Sequence, residues 1–348
     1  MEITGCNKES FFLLKQLILE SDSVIVSGHK NSDFDTLGSA YGVLCMVREL
    51  GKTAFIVINE ETSLSTPLID RIRADESEGI FIEPERAREI AKANVLSIIT
   101  DTNRTSLLEC PFLFDVCDRS VILDHHQLRS DLTDFPGLFI HNERASSTCE
   151  MAAELISYSE MTPSSVLCEA LAAGIMLDTR GFTQKITPKT FFVSGSLFAM
   201  GADISDTRNL FDCSLEHYRE RTKLVLSARM LGDCAIAVAG KNQPRIRVLA
   251  PQAANELLTI QGVKASFVIY RAEGETCISA RSDGRFDVAA IMEQMGGGGN
   301  ITMAAAQLAG ISRYAALKRL ERVLKSYTDV GKDITFEDEP SNEDDSSN

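Results

Sequence analysis

Short apolar segments recur along the first half of the chain, each followed by polar residues and then by a helical stretch. This alternation limits the fold more than any other feature. Residues 23–27 (Ser-Val-Ile-Val-Ser), 53–58, 79–82, 95–100 and 121–123 read as strands. A helix capped by Asp35 or Thr36 is expected to run to about Leu50, and another to begin near Pro84. Strands this short and this continuously apolar are buried on both faces. They predict an α/β fold, a parallel sheet with helices on both sides. The capping-box spacing of Ser147-Thr148-Cys149-Glu150 predicts a helix to about Tyr158, and residues 164–177 are rich enough in Ala and Leu for a buried helix.

The chain has 348 residues, enough for two domains. A segment over 216–231 has helical character without turn signals and reads as a connector helix. The expected division is residues 1–212, a connector at 213–231, a smaller α/β domain at 232–328 and a tail at 329–348. In the smaller domain strands are expected at 234–239, 245–249, 265–271 and 276–280, and helices near 251–259, 287–294, 301–309 and 313–327. The tail holds eight acids against one lysine and few apolar residues, a composition that stays disordered.

Charge and cysteine usage exclude several classes. The net charge is −15, only part of it in the tail, whereas a protein that grips duplex DNA non-specifically is basic. Duplex DNA is therefore not an expected partner. The nine cysteines form no C-x-x-C pair, which argues against zinc knuckles and thioredoxin-like chemistry. Residues 1–15 do not read as a signal peptide, and no apolar run approaches the roughly 20 residues that span a bilayer. The expectation is a soluble, cytoplasmic chain with reduced thiols and no membrane segment.

Polar side chains collect where strands end. After 23–27 come His29, Asp33 and Asp35; after 95–100 come Asp101, Thr102, Asn103 and Arg104; after 121–123 come Asp124, His125 and His126; Asp178 closes the apolar run 170–177. Open parallel sheets bind ligands at the carboxyl ends of their strands. Carboxylates and imidazoles without thiolates suit Mn²⁺ or Mg²⁺ better than structural zinc. The set is large enough for two ions sharing one carboxylate, a pair that serves in-line phosphoryl displacement when roughly 3.5–4 Å apart. Singly, each piece has a plainer meaning: Asp-x-Asp a turn, His-His a satisfied core feature, a strand-end Asp a helix cap. Further on, Gly296-Gly297-Gly298-Gly299-Asn300 precedes an Ala-rich segment read as helical. Such a run either exposes backbone N–H groups to an anion or makes a tight turn between helices. Arg281, at a strand end, is either a phosphate contact or a solvated loop residue.

These motifs resemble the DHH phosphoesterase superfamily. Asp124-His125-His126 is its name motif, and residues 28–38 (GHKNSDFDTLG), 101–104 (DTNR), 145–150 (ASSTCE) and 296–300 (GGGGN) resemble its other signatures. The resemblance spans about residues 10–328. The stretch ISARSDGRFDVAAIMEQMGGGG (278–299) is most similar to the C-terminal catalytic module of GdpP-type cyclic-di-AMP phosphodiesterases. It implies a parallel-sheet DHH domain joined by a connector helix to a smaller α/β DHH-associated domain, with the active site in the cleft between them. It implies two Mn²⁺ ions, with Mg²⁺ or Co²⁺ as alternatives. His29, Asp33 and Asp101 would hold one ion; Asp35, Asp101, His125 and Asp178 would hold the other. Asp124 would orient His125, His126 would face the substrate phosphate or the leaving oxygen, and Arg104 would support the site electrostatically or form a structural ion pair. Gly296, Gly297, Gly298, Gly299, Asn300 and Arg281 would hold the nucleotide.

The implied reaction is hydrolysis of cyclic-di-AMP to pApA by a two-metal mechanism. The alternatives are a nanoRNA exonuclease with pAp 3′-phosphatase activity, and a nucleotide-binding sensor weak in turnover. Class II inorganic pyrophosphatases share the metal motifs but their second domain lacks the glycine run, and a RecJ-like exonuclease would need a longer chain and a more basic single-strand channel. The partner is thus a small cyclic or linear dinucleotide. Superfamily members often dimerise, so the resemblance admits a homodimer. Four positions depart from the family pattern: Asn300 where His is usual, Ser32 where Pro is usual, and Lys185 and Lys189 where Arg is typical.

Overall fold

The computed structural model describes residues 2–76, 79–92, 94–128, 135, 137–240 and 245–331; positions 332–348 of the expected acidic tail lie outside the described residues. The chain divides into two compact units, Met1–Asp212 and Cys213–Asn348.

The first unit carries seven strands: β1 (Glu2–Thr4), β2 (Ser23–Ser27), β3 (Thr53–Val57), β4 (Phe81–Ile82), β5 (Val95–Thr100), β6 (Arg119–Asp124) and β7 (Leu138–His141). All pair in parallel, in the order β1-β7-β6-β5-β2-β3-β4. The helices are α1 (Lys8–Leu19), α2 (Phe34–Glu49), α3 (Thr66–Asp75), α4 (Pro84–Ile90), α5 (Leu113–Val116), α6 (Thr148–Ser157), α7 (Ser165–Asp178), α8 (Pro188–Ala199) and α9 (Ile204–Asn209). Successive residues of a strand point to opposite faces. Val24, Val26, Leu96, Ile98, Val121 and Leu123 accordingly join Leu37 and Leu171 in the larger core. Ile25, Val57 and Val95 pack on the other face against Ala87 and Leu113. Because both faces are covered, the central strands are apolar at consecutive positions rather than at alternate ones, as at Val24–Val26 and Val121–Leu123. The chain passes outward from β2 to β3 and β4, then returns to β5 on the other side of β2. That reversal opens a crevice at the carboxyl ends of β2 and β5, where doubly wound sheets bind ligands.

The second unit has a six-stranded mixed sheet of β8 (Arg229–Leu231), β9 (Cys234–Val238), β10 (Ala265–Ala272), β11 (Glu275–Ser282), β12 (Gly298–Gly299) and β13 (Met303–Leu308), in the order β12-β13-β11-β10-β9-β8. β9 and β10 are parallel and the other neighbours antiparallel. Helices α10 (Leu215–Leu226) and α11 (Ile246–Leu257) contribute Leu224, Leu249 and Ala253 to the core on one face. Helices α12 (Val288–Gln294) and α13 (Arg313–Gly331) contribute Ile291, Leu317 and Leu320 to the core on the other.

Several expectations are corrected here. The segment 245–249 is the start of α11, not a strand: Ile246, Leu249, Ala250, Ala253, Ala254 and Leu257 are buried at helical spacing, and Pro251 sits inside the helix rather than dividing it. The segment 301–309 is not a helix. It contains β13, whose Ala304, Ala306 and Leu308 point inward while their neighbours do not. The glycine run therefore enters a hairpin, with Gly298 opposite Ala305 and Gly299 opposite Ala304. The connector helix ends at Leu226, and its last expected residues form β8. Helix α2 is capped by Asp33, not by Asp35 or Thr36. Ser147 does cap α6, but the Glu150 carboxylate turns to the Ser146 N–H and hydroxyl, so the capping box is not closed.

Candidate metal centre

Two helix N-termini converge on the ends of β2, β5 and β6. Asp33 is the N-cap of α2, and its Oδ1 accepts the Asp35 and Thr36 amides at 3.0 and 3.1 Å. Its other oxygen lies 3.9 Å from His29 Nε2. Asp35, fully buried, receives the first amides of α6: Thr148 N–H on Oδ2 and Cys149 N–H on Oδ1, both at 2.8 Å. The positive ends of both helices thus offset part of the cost of burying carboxylates here.

Asp101 follows β5 with φ +66°, a left-handed conformation that non-glycine residues adopt mainly at constrained sites. It sits between the imidazoles, Oδ2 at 3.5 Å from His29 Nε2 and Oδ1 at 3.7 Å from His125 Nε2. His125 Nε2 also faces Asp178 at 3.3 Å and Asp35 at 3.8 Å. Burial works against the imidazolium of His29 and His125. Nonetheless their carboxylate neighbours, Asp101 and Asp33 for the first and Asp178 and Asp35 for the second, raise the pKa values to about 10 and about 9. Burial also pushes the carboxyl of Asp35 well up, reinforced by Asp101 and Asp178.

The donor set fits metal ions. His125 Nδ1–H points to the Ala145 carbonyl at 3.3 Å, leaving Nε2 buried and without a hydrogen-bond partner among the described residues. Ligand atoms each roughly 2.1 Å from one ion and about 90–110° apart lie roughly 3.0–3.5 Å from one another. The oxygens around His29 and His125 stand near that spacing, slightly wider. Two clusters result, His29–Asp33–Asp101 and Asp35–His125–Asp178, and a third grouping of Asp101, His125 and His126 shares a residue with each. Asp101 is thus able to serve both sides.

The structure corrects the expected role of Asp124. Its carboxylate binds His126, Oδ1 lying 2.9 Å from Nδ1, and not His125. Asn103 donates to its other oxygen at 2.6 Å. His126 is the half-exposed member, and burial is again outweighed, by Asp124 and Asp101, to raise its pKa to about 9. Lys185 approaches Asp178 at 3.6 Å, whereas Lys189 pairs with Glu154. The Arg104 guanidinium makes no hydrogen bond or ion pair among the described residues; its backbone N–H donates to Thr102 Oγ1.

The sequence gives no site role to Thr36, Asn103, Thr148 or His141, which the structure places in hydrogen bonds to Asp101, Asp124 and the loop after β6. His141 Nε2 meets the His126 carbonyl at 2.7 Å and so supports the loop after β6. Thr36 and Thr148 carry hydroxyls rather than metal-ligating groups, and only the folded chain brings them to the Asp101 carboxylate.

In the second unit, Asn300 Oδ1 accepts the Thr302 and Met303 amides at 3.0 and 2.8 Å, and its own N–H donates to the Met303 carbonyl at 2.7 Å. Arg281 lies on β11 opposite Met303, at the same end of the sheet as Gly299.

Residues 23–175 match the DHH family, N-terminal domain, and residues 246–326 match the DHHA1 domain. The chain is 36% identical over 328 residues to cyclic-di-AMP phosphodiesterase GdpP of Geobacillus thermodenitrificans, covering 92% of this chain and 50% of that protein. It is 36% identical over 327 residues to the protein of the same name in Bacillus subtilis, covering 91% and 50%. The chain therefore spans about half the length of these curated relatives. The crystal structure of an exopolyphosphatase-related protein from Bacteroides fragilis superposes with a TM-score of 0.79 at 19% identity, covering 94% of this chain and 98% of that one, a likeness of fold. The chain belongs to the DHH family, a DHH N-terminal domain followed by a DHHA1 domain.

Proposed function

We propose that this chain is a metal-dependent phosphodiesterase that hydrolyses cyclic-di-AMP to pApA. The observation that carries this reading is the shared carboxylate of Asp101, one oxygen toward His29 and the other toward the buried Nε2 of His125. The two relatives named cyclic-di-AMP phosphodiesterase supply the substrate class. His29, Asp33 and Asp101 would hold one Mn²⁺; Asp35, Asp101, His125 and Asp178 would hold the second. Oxygen and imidazole donors without thiolate suit Mn²⁺, with Mg²⁺ and Co²⁺ as alternatives. When bound, two such ions supply an acidified water and charge stabilisation for in-line displacement at phosphorus.

The protein's own groups do the rest. Asp124 fixes His126 through Nδ1, so the half-exposed ring presents Nε2 outward. The Asp124 carboxylate at Nδ1 favours the charged ring, and a proton held at Nε2 would pass to the departing 3′-oxygen. Water adds to phosphorus as the P–O3′ bond breaks, leaving the 5′-phosphate of pApA. Residues 1–212 would form the catalytic DHH domain, and 232–328, after the connector at 213–231, the substrate-binding domain. Within the latter, Arg281 and the run Gly296–Asn300 share one end of the sheet and would hold the nucleotide. The cysteines are free thiols, most of them buried, as suits a reducing cytoplasm.

The test is Mn²⁺-dependent turnover of cyclic-di-AMP, pApA and pAp followed by chromatography, with EDTA controls. Cleavage of cyclic-di-AMP that stops at pApA is expected. Preference for pApA or pAp would move the chain to nanoRNA degradation, and no turnover of any would make it a sensor.

A further inference from the structure

The two oxygens of Asp101 are held separately. Thr36 Oγ1 donates to Oδ2 at 2.7 Å, on the His29 side. Thr148 Oγ1 donates to Oδ1 at 3.0 Å, on the side of His125 and His126. A carboxylate oxygen has two lone-pair sites, so each hydroxyl takes one and leaves one for an ion. Without such restraint a carboxylate can turn about its terminal bond and chelate one ion through both oxygens, as carboxylates do in many sites. Turning Asp101 that way would break both hydrogen bonds in a site where the residue is 3% exposed.

Both threonines are themselves fixed. Thr36 lies in the first turn of α2, and its methyl fills the space above Gly28, where an added Cβ would stand 2.1 Å from Cγ2. Thr148 is the first residue of α6, and its N–H holds Asp35 Oδ2 at 2.8 Å. One residue thereby ties together Asp35 and Asp101, two of the carboxylates that would hold the second ion. β-Branching narrows the rotamer choice further.

We propose that Thr36 and Thr148 are positioning residues that lock the Asp101 carboxylate so that each ion receives its own oxygen, and that this lock enforces two-ion occupancy. The proposal rests on the two-ion reading above and adds two residues outside the ligand set.

The experiment is a Mn²⁺ titration of the full chain by calorimetry, paired with electron paramagnetic resonance. The wild type, Thr36→Val, Thr148→Val and the two serine variants are compared. The wild type should take up two ions and show an exchange-coupled spectrum. Each valine variant keeps its shape and loses its hydroxyl; one ion should bind as before and the other about tenfold or more weakly. The six-line signal of an isolated ion should replace the coupled one, and serine should restore coupling. Valine variants that bind two ions with wild-type affinities and coupling would overturn the proposal. A wild type that binds fewer than two ions would overturn the two-ion reading itself, a distinguishable failure. Cooperative melting of each metal-free variant checks folding. Should one valine variant not melt cooperatively, the other valine variant decides, because each hydroxyl serves a different oxygen.

Discussion

Asp101 carries the largest residue-scale prediction. Its oxygens face both imidazole nitrogens. Asp101→Ala should remove the second ion and lower turnover by at least about a thousandfold, a loss of roughly 4 kcal/mol of transition-state stabilisation. Wild-type turnover would show that the ligand assignment is wrong. Asp124→Asn asks a narrower question. It leaves every ligand in place but weakens the bond that orients and charges His126. Metal content should be unchanged while kcat falls by about 10²-fold, the scale of a general acid's contribution. Metal uptake itself should depend on pH. His29, at about 10, and His125, at about 9, are protonated at neutral pH without metal, and ligands must lose that proton to bind. Affinity should therefore rise with pH through the neutral range, with protons released on binding. Calorimetry in buffers of differing ionisation enthalpy measures that release, and a pH-independent affinity would contradict it.

At the scale of elements, the glycine hairpin separates structure from binding. A Cβ on Gly297 would lie 2.0 Å from the Ala305 carbonyl oxygen, whereas nothing lies within 4 Å of one on Gly298. Gly297→Ala should cost about 1–3 kcal/mol of stability by overpacking against β13. Gly298→Ala should change the melting temperature little, and it should raise KM if the open backbone meets nucleotide. A Gly298→Ala enzyme with wild-type KM would place the run outside the substrate site. The same hairpin shows where sequence reasoning fell short. Alanine has no polar counterpart to alternate against, so the inward Ala304 and Ala306 leave no period-2 signal and the helix propensity of Ala dominates the reading. Pro251 misled in the opposite direction, since it looks like a boundary yet lies inside α11. By contrast β2, β5 and β6 are legible because burial on both faces gives each an apolar centre, Val24–Val26, Ile98–Ile99 and Val121–Leu123, and the polar residues after them stand out against it. What stayed hidden were interactions through backbone amides, such as those of Thr148 and Cys149 on Asp35, because every residue type but proline has an N–H to offer.

For the whole molecule, the position of the ligands relative to the cores makes a thermodynamic prediction. Every proposed ligand lies between His29 and Asp178, inside the unit Met1–Asp212. The second unit has hydrophobic cores of its own, around Phe267 and Ile291 on one face and Val268 and Leu249 on the other. Ions that bind the folded state stabilise the unit whose folding assembles their ligands. At about one hundred times the dissociation constant, one site contributes roughly 2.7 kcal/mol. For a unit of this size that shifts the melting temperature by roughly 5–11 °C. Scanning calorimetry of the full chain should therefore show one transition that moves up with Mn²⁺ and down with EDTA, and a second that stays in place. Limited proteolysis near the scan midpoint assigns the moving transition to residues 1–212. If both transitions shift equally, the two cores unfold as one and the ions report on the entire chain. If neither shifts, the carboxylates and imidazoles at the ends of β2, β5 and β6 do not hold metal, and the mechanism built on them fails.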